Sequence, residues 1–165
     1  MKVLIDTSYF LPLIKISIEG ISERILLEDL LQSKNKLYYS DLSLFELTAK
    51  AFKYINQGNQ ISTQDLMNGL DAIQNDTRLI HISWKENPMI IELATNLRTI
   101  HKDTIDCLIF ATGICNCDCI IIMDKDFFNK ICQNNSIFEE IQAINKNFQF
   151  WFDDLSKSPK LLKKK

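Results

Sequence analysis

No stretch of this chain approaches the roughly 20 consecutive apolar residues that a membrane span needs, and no signal peptide precedes the first apolar run. A cytoplasmic protein with no membrane partner is therefore expected. An excess of positive charge is missing as well. The formal net charge is −2, which does not suit a generally basic nucleic-acid binder. Five of the 19 basic residues are lysines within residues 157–165, and without them the formal charge of −2 becomes −7. That lysine end suits contact with a phosphate backbone, or simply a solvated terminus. A disulfide framework is also lacking: the five cysteines are odd in number and follow no framework spacing, so they read as reduced thiols. Cys115, Cys117 and Cys119 alternate downstream of His101, which invites a zinc reading. Cysteines two apart in a strand line up in a row along one face, however, and that geometry serves one tetrahedral ion badly. Buried free thiols are the favoured account. Repeats are absent, and the lysine tail is the one low-complexity segment.

What is present suits one domain. A chain of 165 residues, 46% hydrophobic and 24% charged, can bury a proper core. The pattern divides into a domain over 1–155 and a basic tail over 156–165. Met1-Lys2-Val3-Leu4-Ile5-Asp6-Thr7-Ser8 opens the domain with three apolar β-formers that run into a carboxylate. A continuous apolar run this short fits a strand buried on both faces, as in a parallel sheet. The same grammar returns in Cys119-Ile120-Ile121-Ile122-Met123, followed by Asp124-Lys125-Asp126. Helical spacing follows at 9–16, where Pro12 is tolerable only in a first turn, and at 22–31. Residues 36–40 and 79–82 read as strands, and 148–151 as a last one. Helices are expected over 42–55 with Ser40 or Asp41 as cap, and from the capping box Ser62-Thr63-Gln64-Asp65 to about residue 74. Others run from Pro88 towards residue 100, over 105–114 behind Asp103 or Thr104, over 125–132 and over 137–144. Strands alternating with helices through short links give an α/β three-layer sandwich, a central parallel β-sheet flanked by helices.

Four carboxylates lie inside or beside apolar surroundings: Asp6 and Asp124 at strand ends, Glu46 within a helix, and Asp106 opening the apolar helix. A carboxylate alone in such surroundings costs several kcal/mol or becomes neutral. Two of them about 5 Å apart repel by roughly 3 kcal/mol at an effective dielectric near 20. Mg²⁺ or Mn²⁺, which take oxygen ligands, removes the conflict. Two ions held by four acids make a clamp for in-line phosphoryl displacement without a Cys, His or Ser nucleophile. Each acid also has a plainer use. Asp6, Asp124 and Asp126 suit caps and turns, Glu46 suits an exposed helix position, and Asp106 suits a first turn that the helix dipole favours. Ser8 either steadies a metal-binding carboxylate or caps a helix.

Val3-Leu4-Ile5-Asp6-Thr7-Ser8, Ser40 with Glu46 six residues on, Asp106-Cys107-Leu108-Ile109-Phe110-Ala111-Thr112 and Asp124-Lys125-Asp126-Phe127 occur in that order. Together they resemble the motifs of PIN-domain ribonucleases, including VapC-type toxins, over roughly residues 2–130. The resemblance implies a parallel sheet flanked by helices and an Mg²⁺- or Mn²⁺-dependent cut in single-stranded RNA. It also implies the partners of toxin members, which are often homodimers silenced by a small antitoxin protein. By position it makes Asp6, Glu46, Asp106 and Asp124 the metal-binding and catalytic acids. Ser8 matches the hydroxyl that supports the first of them, with Asp126 and Asp103 as auxiliaries. One departure is Ile122, which stands where the family usually has Thr or Ser two residues before the fourth acid.

Two other functions compete with a metal-dependent endoribonuclease. One is a catalytically inactive PIN-fold module that binds RNA or protein; the complete acid set speaks against it. The other is a phosphotransferase of the haloacid dehalogenase type, which resembles Asp-x-Asp at the first strand end. Ser8 occupies the second position here, which disfavours it.

Overall fold

The computed structural model describes residues 1–18, 30–31, 34–152 and 160–161. The apolar run that opens the sequence becomes β1 (Lys2–Ile5), with all of Val3, Leu4 and Ile5 buried. A 3-10 segment (Thr7–Ile14) follows it. Then come β2 (Lys36–Ser40), α1 (Asp41–Asn56), α2 (Thr63–Gln74) and β3 (Leu79–Ile82). After a 3-10 turn (Trp84–Glu86) the chain forms α3 (Pro88–Leu97), α4 (Thr104–Asn116), β4 (Cys119–Ile122) and α5 (Lys125–Gln133). It ends with α6 (Asn135–Ile144), β5 (Gln149–Phe152) and β6 (Lys160–Leu161).

Strands β1 to β5 are all parallel, in the order β3-β2-β1-β4-β5, and β6 adds an antiparallel edge to β5. The first three strands build outward in one direction from β1, and β4 and β5 build in the other. The reversal falls between β1 and β4, with Ile5 opposite Ile121. In open α/β sheets, ligands bind beyond the carboxyl ends of the strands at such a reversal.

Strand periodicity divides the core into two layers. Val3, Ile5, Cys119 and Ile121 face one side with Phe10, Ile14, Leu47, Ala51, Leu66 and Ile73. Leu4, Ile120 and Ile122 face the other with Ile90, Leu93, Ile109, Phe110, Phe127 and Ile141. The 3-10 segment, α1 and α2 therefore cover one face, and α3 to α6 cover the other, which is the expected three-layer sandwich.

The caps form as the sequence expects. Ser40 accepts from Leu42 N, the Ser62–Asp65 box closes on both sides, and Pro88 opens α3. The segment at 9–16 differs from expectation, because it is a 3-10 element with Pro12 in its interior. Pro12 has no N–H to donate but still serves as an acceptor within the segment. The Pro12 carbonyl accepts from Lys15 N at 3.0 Å, and Lys15 ends the segment in a left-handed conformation (φ 60°). The expected helix at 22–31 lies outside the described residues except for 30 and 31, which are helical. In the segment read as a basic tail, Lys160 and Leu161 pair with Phe152 and Trp151. Backbone pairing to β5 thus draws part of that segment into the sheet. Among the described residues, no helix is long and apolar enough to cross a membrane.

Candidate metal centre

The residue following β1 is Asp6, and its side chain caps the 3-10 segment by accepting from Ser8 N at 3.1 Å. The Ser8 hydroxyl bonds to the same carboxylate. Across the reversal, Asp124 caps α5 and accepts from Phe127 N at 2.9 Å. Asp103 caps α4 through bonds from Ile105 N and Asp106 N, at 2.8 and 3.3 Å, which leaves Asp106 in the first turn. Glu46 projects from the second turn of α1. These residues converge because strand ends and helix starts meet at one edge of a parallel sheet. Asp6, Ser8, Glu46, Asp103, Asp106 and Asp124 all line one cavity of about 190 Å³. Phe110, Ile122 and Phe127 supply its apolar wall.

Asp126 is not brought in. It is 74% exposed and pairs with Lys130 one helical turn along, at 2.5 Å. At the Ile122 departure the side chain is buried and offers Asp124 no hydroxyl, so the α5 N-terminus supplies the support through Phe127 N.

The electrostatics of the cavity are unfavourable for the acids alone. Burial raises the Asp6 carboxyl above its ordinary value; the Ser8 bond opposes this and the charge of Glu46 adds to it. Asp106 is pushed up to about 6, first by burial and then by Glu46, Asp103 and Asp6, against a lowering bond from His101. Glu46 Oε2 is buried without a hydrogen-bond partner. Crowded, buried carboxylate oxygens with unused acceptor capacity match the donor preference of a hard dication. The residues present therefore fit Mg²⁺ or Mn²⁺.

Two residues of the site were not singled out as members from the sequence. Lys50 lines the cavity and pairs with Glu46 at 2.5 Å. Burial alone would lower its ammonium, but Glu46, Asp6 and Asp106 together hold it above the ordinary value. Its position four residues after Glu46 is the only signal the sequence offers. His101 lies in the link between α3 and α4. Its Nε2 is 2.8 Å from Asp106 Oδ2, and its ring stacks on Phe127 with centroids 4.0 Å apart. Potential ligand atoms of His101, Asp106 and Asp124 all lie within 4.8 Å of one another. His101 thus turns towards acids, while Cys117 and Cys119 enter opposite core layers. Burial pushes both thiols up to about 12, well away from the reactive thiolate form.

Comparison with known proteins adds three findings. The family model described as PIN domain matches residues 3–133. A crystal structure of VapBC2 from Rickettsia felis, bound to a DNA fragment from their promoter, is similar with a TM-score of 0.52 and 20% identity. That similarity covers 92% of this chain and 99% of the other. A crystal structure of FitAcB from Neisseria gonorrhoeae gives a TM-score of 0.48 at 15% identity, over 78% of this chain and 91% of the other. The search of curated proteins gives no match.

Proposed function

This chain belongs to the PIN domain family, and from that premise we propose that it is a divalent-metal-dependent endoribonuclease acting on single-stranded RNA. The observation that carries the reading is the single cavity at the β1–β4 reversal lined by Asp6, Glu46, Asp103, Asp106 and Asp124. Asp6, Glu46, Asp106 and Asp124 would hold Mg²⁺ or Mn²⁺, and Asp103 holds the first turn of α4 in place. The ions, when bound, supply activation of water and neutralisation of charge for phosphodiester hydrolysis. Ser8 fixes the orientation of Asp6 through its amide and hydroxyl. Lys50 contributes a positive charge beside Glu46, suited to the phosphate of an incoming strand. Phe110, Ile122 and Phe127 exclude water from one wall, which strengthens every charge interaction within.

The reading extends to partners. The fold similarity to a VapBC2 structure supports a toxin of a type II toxin–antitoxin pair, controlled by a small antitoxin protein. On α1, Phe45 and Phe52 are 61% and 52% exposed. Two large aromatics seven residues apart on one helix face suit contact with such a protein or with a second copy of the chain.

The test is cleavage of a mixed single-stranded RNA pool with Mn²⁺, with EDTA, and with Asp6→Asn. Cleavage that requires both the metal and Asp6 is expected. If folded protein binds Mn²⁺ and RNA yet cuts no member of the pool, the alternative of a catalytically inactive PIN-fold binding module takes its place.

A further inference from the structure

Beside the cavity, against Asp106 of its lining, stands a nitrogen donor that an all-carboxylate site lacks. His101 is anchored by stacking on Phe127, and its side chain is only 11% exposed. Its Nε2 faces Asp106 Oδ2 at 2.8 Å, and an Asp124 oxygen completes a set within 4.8 Å. Adjacent ligands of an octahedral ion with bonds near 2.1 Å sit about 3 Å apart. The His101–Asp106 separation is close to that edge. The other ring nitrogen, Nδ1, is buried without a hydrogen-bond partner. No contact at Nδ1 therefore locks the ring into the form that carries its proton on Nε2. The roles at the 2.8 Å contact depend on the tautomer: with its proton on Nε2 the ring donates to Asp106, and with the proton on Nδ1, Nε2 offers a lone pair.

We infer that His101 is a direct metal ligand alongside Asp106 and Asp124, making this a mixed nitrogen–oxygen site that favours transition dications over Mg²⁺. The inference rests on the metal-dependent reading above and deepens it. Mg²⁺ gains little from imidazole, whereas the first-row transition ions gain increasingly from Mn²⁺ through Co²⁺ to Ni²⁺. The metal preference is therefore set in part by a residue outside the four acids.

The chain has two histidines, His81 and His101, so isotopic labelling can isolate the ligand. Pulsed EPR of Mn²⁺ bound to protein carrying ¹⁵N only in histidine, compared with ¹⁴N protein, is expected to show the coupling of a directly bonded nitrogen. That signal should persist in His81→Gln and vanish in His101→Gln. Calorimetric titration of the same variant should show Mn²⁺ affinity falling on the order of 10-fold or more and Mg²⁺ affinity changing far less. The wild-type isotope comparison stands even if His101→Gln folds poorly. Bound Mn²⁺ without nitrogen coupling overturns the ligand assignment and leaves the nuclease reading intact. Equal losses for Mg²⁺ and Mn²⁺ also overturn it, reducing His101 to a residue that positions Asp106. No Mn²⁺ binding at all overturns both.

Discussion

Asp65 and Asp106 occupy the same local position, the third residue of a helix, three after a capping side chain. Ser62 precedes one and Asp103 precedes the other. Their fates are opposite. Asp65 accepts from Ser62 N at 3.0 Å and from the Ser62 hydroxyl at 2.6 Å, and it pairs with Lys15 at 2.6 Å. Those partners, Lys15 first, hold its carboxyl down to about 2. Asp106 turns into the cavity, where burial and three other acids push it up to about 6. Both acids benefit from the positive end of a helix, so the dipole does not separate them. The surroundings do. One acid completes a cap with its charge matched by Lys15, whereas the other is left buried among like charges.

The largest effects expected from this contrast are in activity. Asp106→Asn should reduce metal-dependent RNA cleavage by about 100-fold or more, since it removes a proposed ligand. Asp65→Asn should leave the rate unchanged in the same assay. Metal stabilisation should divide the two sites in the same way. Mn²⁺ at about 100 times its dissociation constant should stabilise the wild type by roughly 2.7 kcal/mol in thermal or urea unfolding, with the gain lost in Asp106→Asn and kept in Asp65→Asn.

Without metal, the pH dependence should have opposite signs. A raised carboxyl makes the folded state bind more protons than the unfolded one between 3.8 and about 6. The Asp106 contribution is therefore fully present below 3.8 and lost as pH rises through about 6. In EDTA at pH 7, Asp106→Asn should be more stable than the wild type by on the order of 1–2 kcal/mol, an advantage that disappears by pH 4. For Asp65 the lowered carboxyl gives stability present above 3.8 and lost as pH falls through about 2. Asp65→Asn should thus melt below the wild type at neutral pH and approach it in strong acid. Melting curves from pH 2 to 7 check both signs, and parallel curves for the two variants would break the comparison. The smallest effect is expected at Asp126, which is exposed and outside the cavity: Asp126→Asn should change stability by less than about 0.5 kcal/mol.

Much of this architecture is legible along the chain, for identifiable reasons. Buried strands such as Cys119–Ile122 leave a continuous apolar run, and each helix start carries its own cap, from Ser40 to Asn134. Asp6 and Asp124 are legible because a parallel sheet places its functional groups at strand ends. The 3-10 form of Thr7–Ile14 was not, since apolar spacing marks a helical segment without separating the i+3 pattern from i+4. His101 and Lys50 escaped for a different reason. His101 is five residues from Asp106, but Phe127, on which its ring rests, is 26 residues away in sequence. Proximity to the cysteines suggested zinc, and the fold sends them elsewhere.

By itself, then, the sequence determined the alternation of strands and helices, their caps and the acids at the element ends, because periodicity and capping are local physics. Tertiary structure alone decided which acids share a cavity, that Asp126 does not, that an ammonium joins them, and that an imidazole meets Asp106. It also decided that two aspartates in the same helical position titrate in opposite directions. Charge and burial act through space, and the residues that set them for Asp106 come from as far along the chain as Asp6 and Glu46.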